Sequence, residues 1–191
     1  AAGTAPQGAR ELVKSTADTV LERLRADHDA LMASPERIYP LVQDLVLPHF
    51  DFQKMSQWVL GKHWRRASAE QRELFTEQFR NLLVRTYAKA LLEYDDQSLR
   101  YLPLQAADDD RRVTVKTEIV QSGGPPIPIN YAMYLRRNGE WKVYDIAVDG
   151  ASMVSTYRKS YYSQIRKEGL DSLIARLQKM NSTTEKADNG E

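Results

Sequence analysis

Cysteine is missing from this 191-residue sequence, so it can form neither a disulfide nor a thiolate metal site. Histidine is scarce. His28, His49 and His63 are scattered, and none falls in a His-x-x-x-His or His-Glu-x-x-His spacing, which excludes the usual metal-ligand and zinc-hydrolase patterns. His49 and Asp51 alone make too small a ligand set, and the histidines read as surface or capping residues. An excess of one charge is lacking too: 27 Lys+Arg against 26 Asp+Glu leave +1. That balance argues against a nucleic-acid surface, and no polybasic block is present to press the chain onto an anionic membrane. No run approaches the roughly 18 consecutive apolar residues of a spanning helix. Gly123-Gly124 is followed by Pro125-Pro126 rather than by a helix and a lysine, so it is no phosphate cradle. The nucleophile elbow begun by Gly150-Ala151-Ser152 is incomplete, because Val154 stands where its second glycine would be. Ser152 reads instead as a helix N-cap.

What is present is ordinary globular composition, 42% hydrophobic and 28% charged. The length fits one domain, placed at 1–181, with a polar tail at 182–191 expected to be disordered. Ala1-Ala2-Gly3-Thr4-Ala5-Pro6 is small and unpatterned, which would suit the start of a mature chain after signal-peptide removal and would suit an artificial start equally.

Helical spacing of Leu12, Val13, Val20, Leu21, Leu24 and Leu31 predicts a helix over about 10–32. Ser34-Pro35 predicts a second start, and Phe52, Met55, Val59 and Leu60 a short helix ended by Gly61. The longest helix is expected from the Ser68–Gln71 capping box to about Tyr94. The period then changes to two. Strands are expected over 99–106, 113–119, 129–135 and 141–148, with Asn138-Gly139 as a hairpin turn. A helix through Met153, Tyr157, Tyr161 and Ile165 follows, broken by Gly169 before a short last helix. Helices, then an antiparallel meander, then helices define an α+β fold with a curved sheet.

Ten tyrosines against four phenylalanines put hydroxyls on many apolar-face positions. A core lining a cavity with a wet mouth accommodates them; so do half-buried surface positions. Asp145, inside an apolar strand, is expected to point outward and pair with an arginine; a pocket with a raised pKa is the alternative.

Three segments are more specific: FDFQKMSQWVLGKHWR at 50–65, QRELFTEQFRNLLVRTY at 71–87 and WKVYDIAVDGASMVSTYR at 141–158. Together they closely resemble the MlaC family, the toluene-tolerance or periplasmic phospholipid-binding component, over about 10–180. Departures are mild: Met153 stands where the family commonly has leucine, and Tyr161 where phenylalanine is common. The resemblance implies an NTF2-like α+β domain of about four strands around an apolar cavity. It implies a periplasmic carrier, no cofactor, and a phospholipid cargo whose tails are buried and whose headgroup meets solvent. The implied partners are an inner-membrane ABC transporter complex with its MCE-domain protein and an outer-membrane lipoprotein–porin complex. The chain itself is expected to be a monomer and not an enzyme.

Such a carrier needs apolar side chains between the helical layer and the sheet's inner face. Alternation supplies Val113, Val115 and Ile119, then Ile129, Tyr131 and Met133; for 141–148 alternation leaves either face open to the interior, and the choice is Tyr144, Ile146 and Val148. The helices supply Phe79, Leu83, Tyr87, Leu91, Met153 and Tyr157. The rival reading is an isomerase or dehydratase on the same fold, with Asp145 and a pocket tyrosine acting on a small apolar substrate.

Overall fold

The computed structural model of the chain describes residues 5–94 and 97–188; the expectations placed on 1–4, 95–96 and 189–191 lie outside them. Eight α-helices and five strands follow one another in two helical blocks around a sheet among these residues. Helix α1 (Ala5–Ala26) ends before a separate short α2 (His28–Ala33), so the segment expected as one helix is two. Ser34 makes no capping bond with its side chain. Pro35 instead opens a 3₁₀ turn that leads into α3 (Ile38–Leu45).

Helix α4 (Phe52–Leu60) ends at Gly61, whose φ of 50° and ψ of −117° suit a residue without Cβ. It is followed by α5 (Lys62–Arg66) and α6 (Ala69–Tyr87). The expected capping box is formed: the Gln71 N–H donates to Ser68 Oγ at 3.1 Å, and the Ser68 N–H to Gln71 Oε1 at 2.9 Å. The α-helix stops at Tyr87, and a 3₁₀ segment, Ala88–Glu93, carries the chain on.

Strands β1 (Ser98–Tyr101), β2 (Arg112–Val120), β3 (Ile127–Leu135), β4 (Trp141–Val148) and β5 (Ala151–Ser152) form one antiparallel sheet in sequential order. The curved α+β sheet is as expected, with a two-residue fifth strand added to the four. β1 ends at Tyr101 rather than running to 106. Pro103 has no N–H to continue a ladder, and the last backbone bond is from Leu102 to Lys116. At the hairpin the Arg136 N–H donates to the Glu140 carbonyl, and Gly139 takes a φ of 88°.

Helix α7 (Met153–Glu168) is capped by Ser152 Oγ, which accepts from the Ser155 N–H at 3.1 Å. After Gly169, α8 (Leu170–Asp188) is far longer than expected. Leu173, Ile174 and Leu177 are buried, and the Asn181 amide donates to the carbonyl and side chain of Gln78. With that anchor on α6, the helix propagates through the polar 182–188, which was expected to lack structure.

Three apolar clusters hold these elements. The first packs α4, α5, α6, α7 and α8 around Phe75 and Phe79. The second sets α1 on the inner face of the sheet, around Val115 and Met133. The third joins α1, α2, α3 and the 3₁₀ segment after α6, around Ile38.

Candidate functional site

Between these three clusters lies a cavity of about 350 Å³, within the range of small-molecule pockets. Helix α1 contributes Leu12, Val13, Thr16, Ala17, Val20 and Leu21. Val42, Val46, Leu47 and His49 close a second side from α3 and the turn after it, and Phe50, Phe52 and Met55 a third. From α6 and its 3₁₀ continuation come Leu83, Val84, Tyr87, Ala88 and Leu91, with Tyr94 beyond. Leu99, Ile119, Tyr131, Met133, Val143 and Ile146 form the sheet wall, and Met153 opens α7 beside it.

Among the described residues no lining side chain carries a charge at neutral pH. Burial and the nearby Lys142 ammonium hold the His49 imidazole below its usual pKa, so it is neutral. Burial pushes the Tyr131 phenol up, and it stays protonated. Tyr131 is deep in the molecule yet keeps accessible surface, because it fronts the cavity. Tyr87 marks the rim: it lines the cavity, is 44% exposed, and its hydroxyl lies 3.3 Å from that of Tyr157.

The residues expected at the site divide in two. Leu83, Tyr87, Leu91, Ile119, Tyr131, Met133, Ile146 and Met153 are brought together around the cavity. Phe79 and Tyr157 are not. Their rings meet edge to face at 5.4 Å inside the helical cluster, so one part of the α6 apolar face serves α7 and α8 while Leu83 and Tyr87 serve the cavity. Val113 and Val115 pack in the cluster beneath α1. Ile129 and Val148, paired across β3 and β4, lie outside the lining, and Val148 is 42% exposed.

Tyr144 is turned away by a β-bulge. Ala132 pairs with Asp145 and Met133 with Val143, which leaves Tyr144 without an opposite residue. Val143 therefore takes the inward place expected for Tyr144. Tyr144 packs on the other side of the sheet, tilted against Trp58 and edge to face with Tyr134.

Asp145 is neither paired with an arginine nor in the cavity. Its Oδ1 accepts from the Val154 N–H at 3.0 Å and its Oδ2 from the Ser152 hydroxyl. Both oxygens are spent on the start of α7.

The contributions of α1 and α3 were missed. Their amphipathic faces read as ordinary core stripes, and only the sheet curving away from them shows that the stripe faces space. The Phe50-Asp51-Phe52 segment also builds the wall. The Asp51 N–H donates to the Val143 carbonyl at 2.9 Å, fixing Phe50 and Phe52 beside β4. The Asp51 carboxylate accepts from the Lys54 N–H at 2.9 Å, the Tyr134 hydroxyl and Arg136 Nη2 at 3.1 Å. Burial pushes this carboxyl up, but those three donors outweigh it and hold the pKa below the ordinary carboxylate range. Among the described residues no cluster of His, Asp or Glu could hold a metal, and no helix is long and apolar enough to cross a membrane.

Fold and site together define an α+β domain that encloses an uncharged apolar cavity. More narrowly, the chain belongs to the MlaC protein family, whose model matches residues 14–179. It is 29% identical over 173 residues to the intermembrane phospholipid transport system binding protein MlaC of Haemophilus influenzae, covering 90% of this chain and 81% of that one. It is 28% identical over 168 residues to the toluene tolerance protein ttg2D of Pseudomonas putida, covering 87% and 77%. A solved structure of the phospholipid-binding protein from Ralstonia solanacearum, in complex with a phospholipid, superposes with a TM-score of 0.83. It is 32% identical and covers 92% of this chain and 97% of its own.

Proposed function

We propose that this protein is a periplasmic phospholipid carrier that takes acyl chains into the cavity and passes them between an inner-membrane ABC transporter complex with an MCE-domain protein and an outer-membrane lipoprotein–porin complex. The observation that carries this reading is the uncharged apolar cavity between helices and sheet. The family, and a relative solved with a phospholipid, support it. Burying a methylene is worth about 0.8 kcal/mol, so a dozen sheltered methylenes hold on the order of 10 kcal/mol. Release into water is then very slow, and transfer requires docking against a membrane complex that offers an equally apolar path.

The tails supply most of the affinity. Among the described residues the lining holds no charge, with tyrosine hydroxyls, Thr16 and His49 as its polar groups, so headgroup selectivity is weak. Native mass spectrometry of the purified protein tests the proposal. A carrier retains stoichiometric diacyl lipid and exchanges phosphatidylethanolamine and phosphatidylglycerol alike. A chain that never takes up lipid from vesicles is not a carrier, and strict preference for one headgroup overturns the selectivity argument.

A further inference from the structure

The solvent side of the sheet carries a second concavity, unconnected with the lipid reading. It has a volume of about 370 Å³ and is bounded by Pro103, Gln105, Arg112, Thr114, Lys116 and Tyr144. Its origin is local. Thr114 and Ala132 face each other across β2 and β3, so the middle of this face is short-chained. The bulge in β4 then raises Tyr144 as a wall on that same side.

Its charge is unbalanced. Arg112 and Lys116 are exposed on alternate positions of β2, and among the described residues neither has a carboxylate partner. The carboxylates near this face are already engaged. Glu118 is held by Arg100, Asp51 by Tyr134 and Arg136, and Asp145 by Ser152 and the Val154 N–H. Asp108 and Asp109, in the turn before β2, do not line the groove and make no ion pair with Arg112. A third cation, Lys54, lies 3.7 Å over the Tyr134 ring.

An aromatic line leads away from the groove. Tyr144 lies 5.9 Å from Tyr134 and 6.2 Å from Trp58, which is 44% exposed. Exposed Trp, Tyr and Arg beside unpaired cations are the side chains that dominate protein interfaces.

We propose that this groove docks an extended acidic segment of a partner protein. Two carboxylates four residues apart in such a segment are about 13 Å apart, the same separation as Arg112 and Lys116 along β2. An apolar side chain of the segment would rest on Tyr144 and Trp58. A planar bilayer touches the rims of a concave site and does not reach Thr114, so a peptide is favoured over a membrane.

The test is the anisotropy of a fluorescein-labelled hexaglutamate peptide titrated with the full chain at low salt. Saturable binding is expected, weakening as salt rises, with labelled hexalysine failing to bind. Arg112→Glu with Lys116→Glu is expected to weaken binding about tenfold or more while leaving the circular dichroism and lipid content unchanged. Amide chemical-shift mapping on the unmodified chain serves if that variant does not fold. Perturbations at Thr114, Ala132 and Tyr144 are expected. No binding, binding indifferent to the two reversals, or shifts confined to another face overturns the proposal. Association with phosphatidylglycerol vesicles but not with the peptide overturns it as well, and assigns the face to a membrane.

Discussion

Val143 and Ile146 face the same cavity from one strand although three positions, not two or four, separate them. The bulge at Tyr144 makes this geometry: the extra residue absorbs one step of the alternation, so inward positions read 141 and 143 before it and 146 after it. Val143→Asp is therefore expected to place a carboxylate among apolar groups and to cost about 3 kcal/mol or more. Tyr144→Ala loses ring packing against Trp58 and Tyr134 and a 5.7 Å approach of the Lys54 ammonium, about 1–2 kcal/mol. Urea unfolding of the two variants checks the order. A costlier Tyr144→Ala would mean the faces are assigned the wrong way round.

Asp51 ties α4 to the far end of β3, and it titrates accordingly. Its pKa is lower folded than unfolded, so the unfolded chain binds the proton more readily. Stability from this carboxylate is fully present above the ordinary carboxylate value of about 4 and is lost as pH falls through the lower folded value. Asp51→Asn keeps an N-cap acceptor for Lys54 but gives up the charge facing Arg136. Melting temperatures measured from pH 7 down to pH 2 are expected to fall more steeply for the unmodified chain than for Asp51→Asn. Parallel curves would show that Asp51 does not drive the acid sensitivity.

Much of this architecture was legible because local signals agreed with the tertiary packing. The Ser68–Gln71 box, Gly61, Gly169, Asn138-Gly139 and the Ser152 cap each act within a few residues, and each is found where it was expected. The cavity wall was half legible. Period-two reading picks out Tyr131 and Met133 on β3 correctly, but on β4 it fails at the bulge, which has no signature in the sequence of that strand. It also cannot separate Val113 and Val115 from Ile119. All three face inward, and only the placement of α1 decides that the first two are covered by side chains and the third by space. Asp145 lies on the outward face as expected, across from Ala132, but its partner was misread: the Ser152 hydroxyl and the Val154 N–H meet it only when the chain doubles back through Gly150.

Gly61 and Tyr162 meet at the junction of α4, α5 and α7. A Cβ at Gly61 would lie 2.0 Å from the Tyr162 hydroxyl oxygen, which accepts from the Lys62 N–H at 3.3 Å. Gly61→Ala therefore carries both a clash and backbone strain at a φ of 50°. A loss of about 2–4 kcal/mol is expected. Tyr162→Phe removes the nearer obstacle, so the double variant should recover part of that loss. A double-mutant cycle by chemical denaturation measures this coupling; strictly additive losses would show that the hydroxyl is not what the methyl group meets.

Leu83 and Met133 stand on opposite walls of the cavity, one on α6 and one on β3. An indole added to a filled core ordinarily costs about 1–3 kcal/mol through strain. Here open space receives it, so Leu83→Trp and Met133→Trp are expected to fold with a smaller loss while taking the volume that acyl chains need. Val148→Trp is the control, since Val148 is half exposed and outside the lining. Phosphorus assay and mass spectrometry of lipid extracted from each purified variant should show several-fold depletion for Leu83→Trp and Met133→Trp and normal content for Val148→Trp. Equal lipid content in all three would place the acyl chains somewhere other than this cavity, whatever the chain carries.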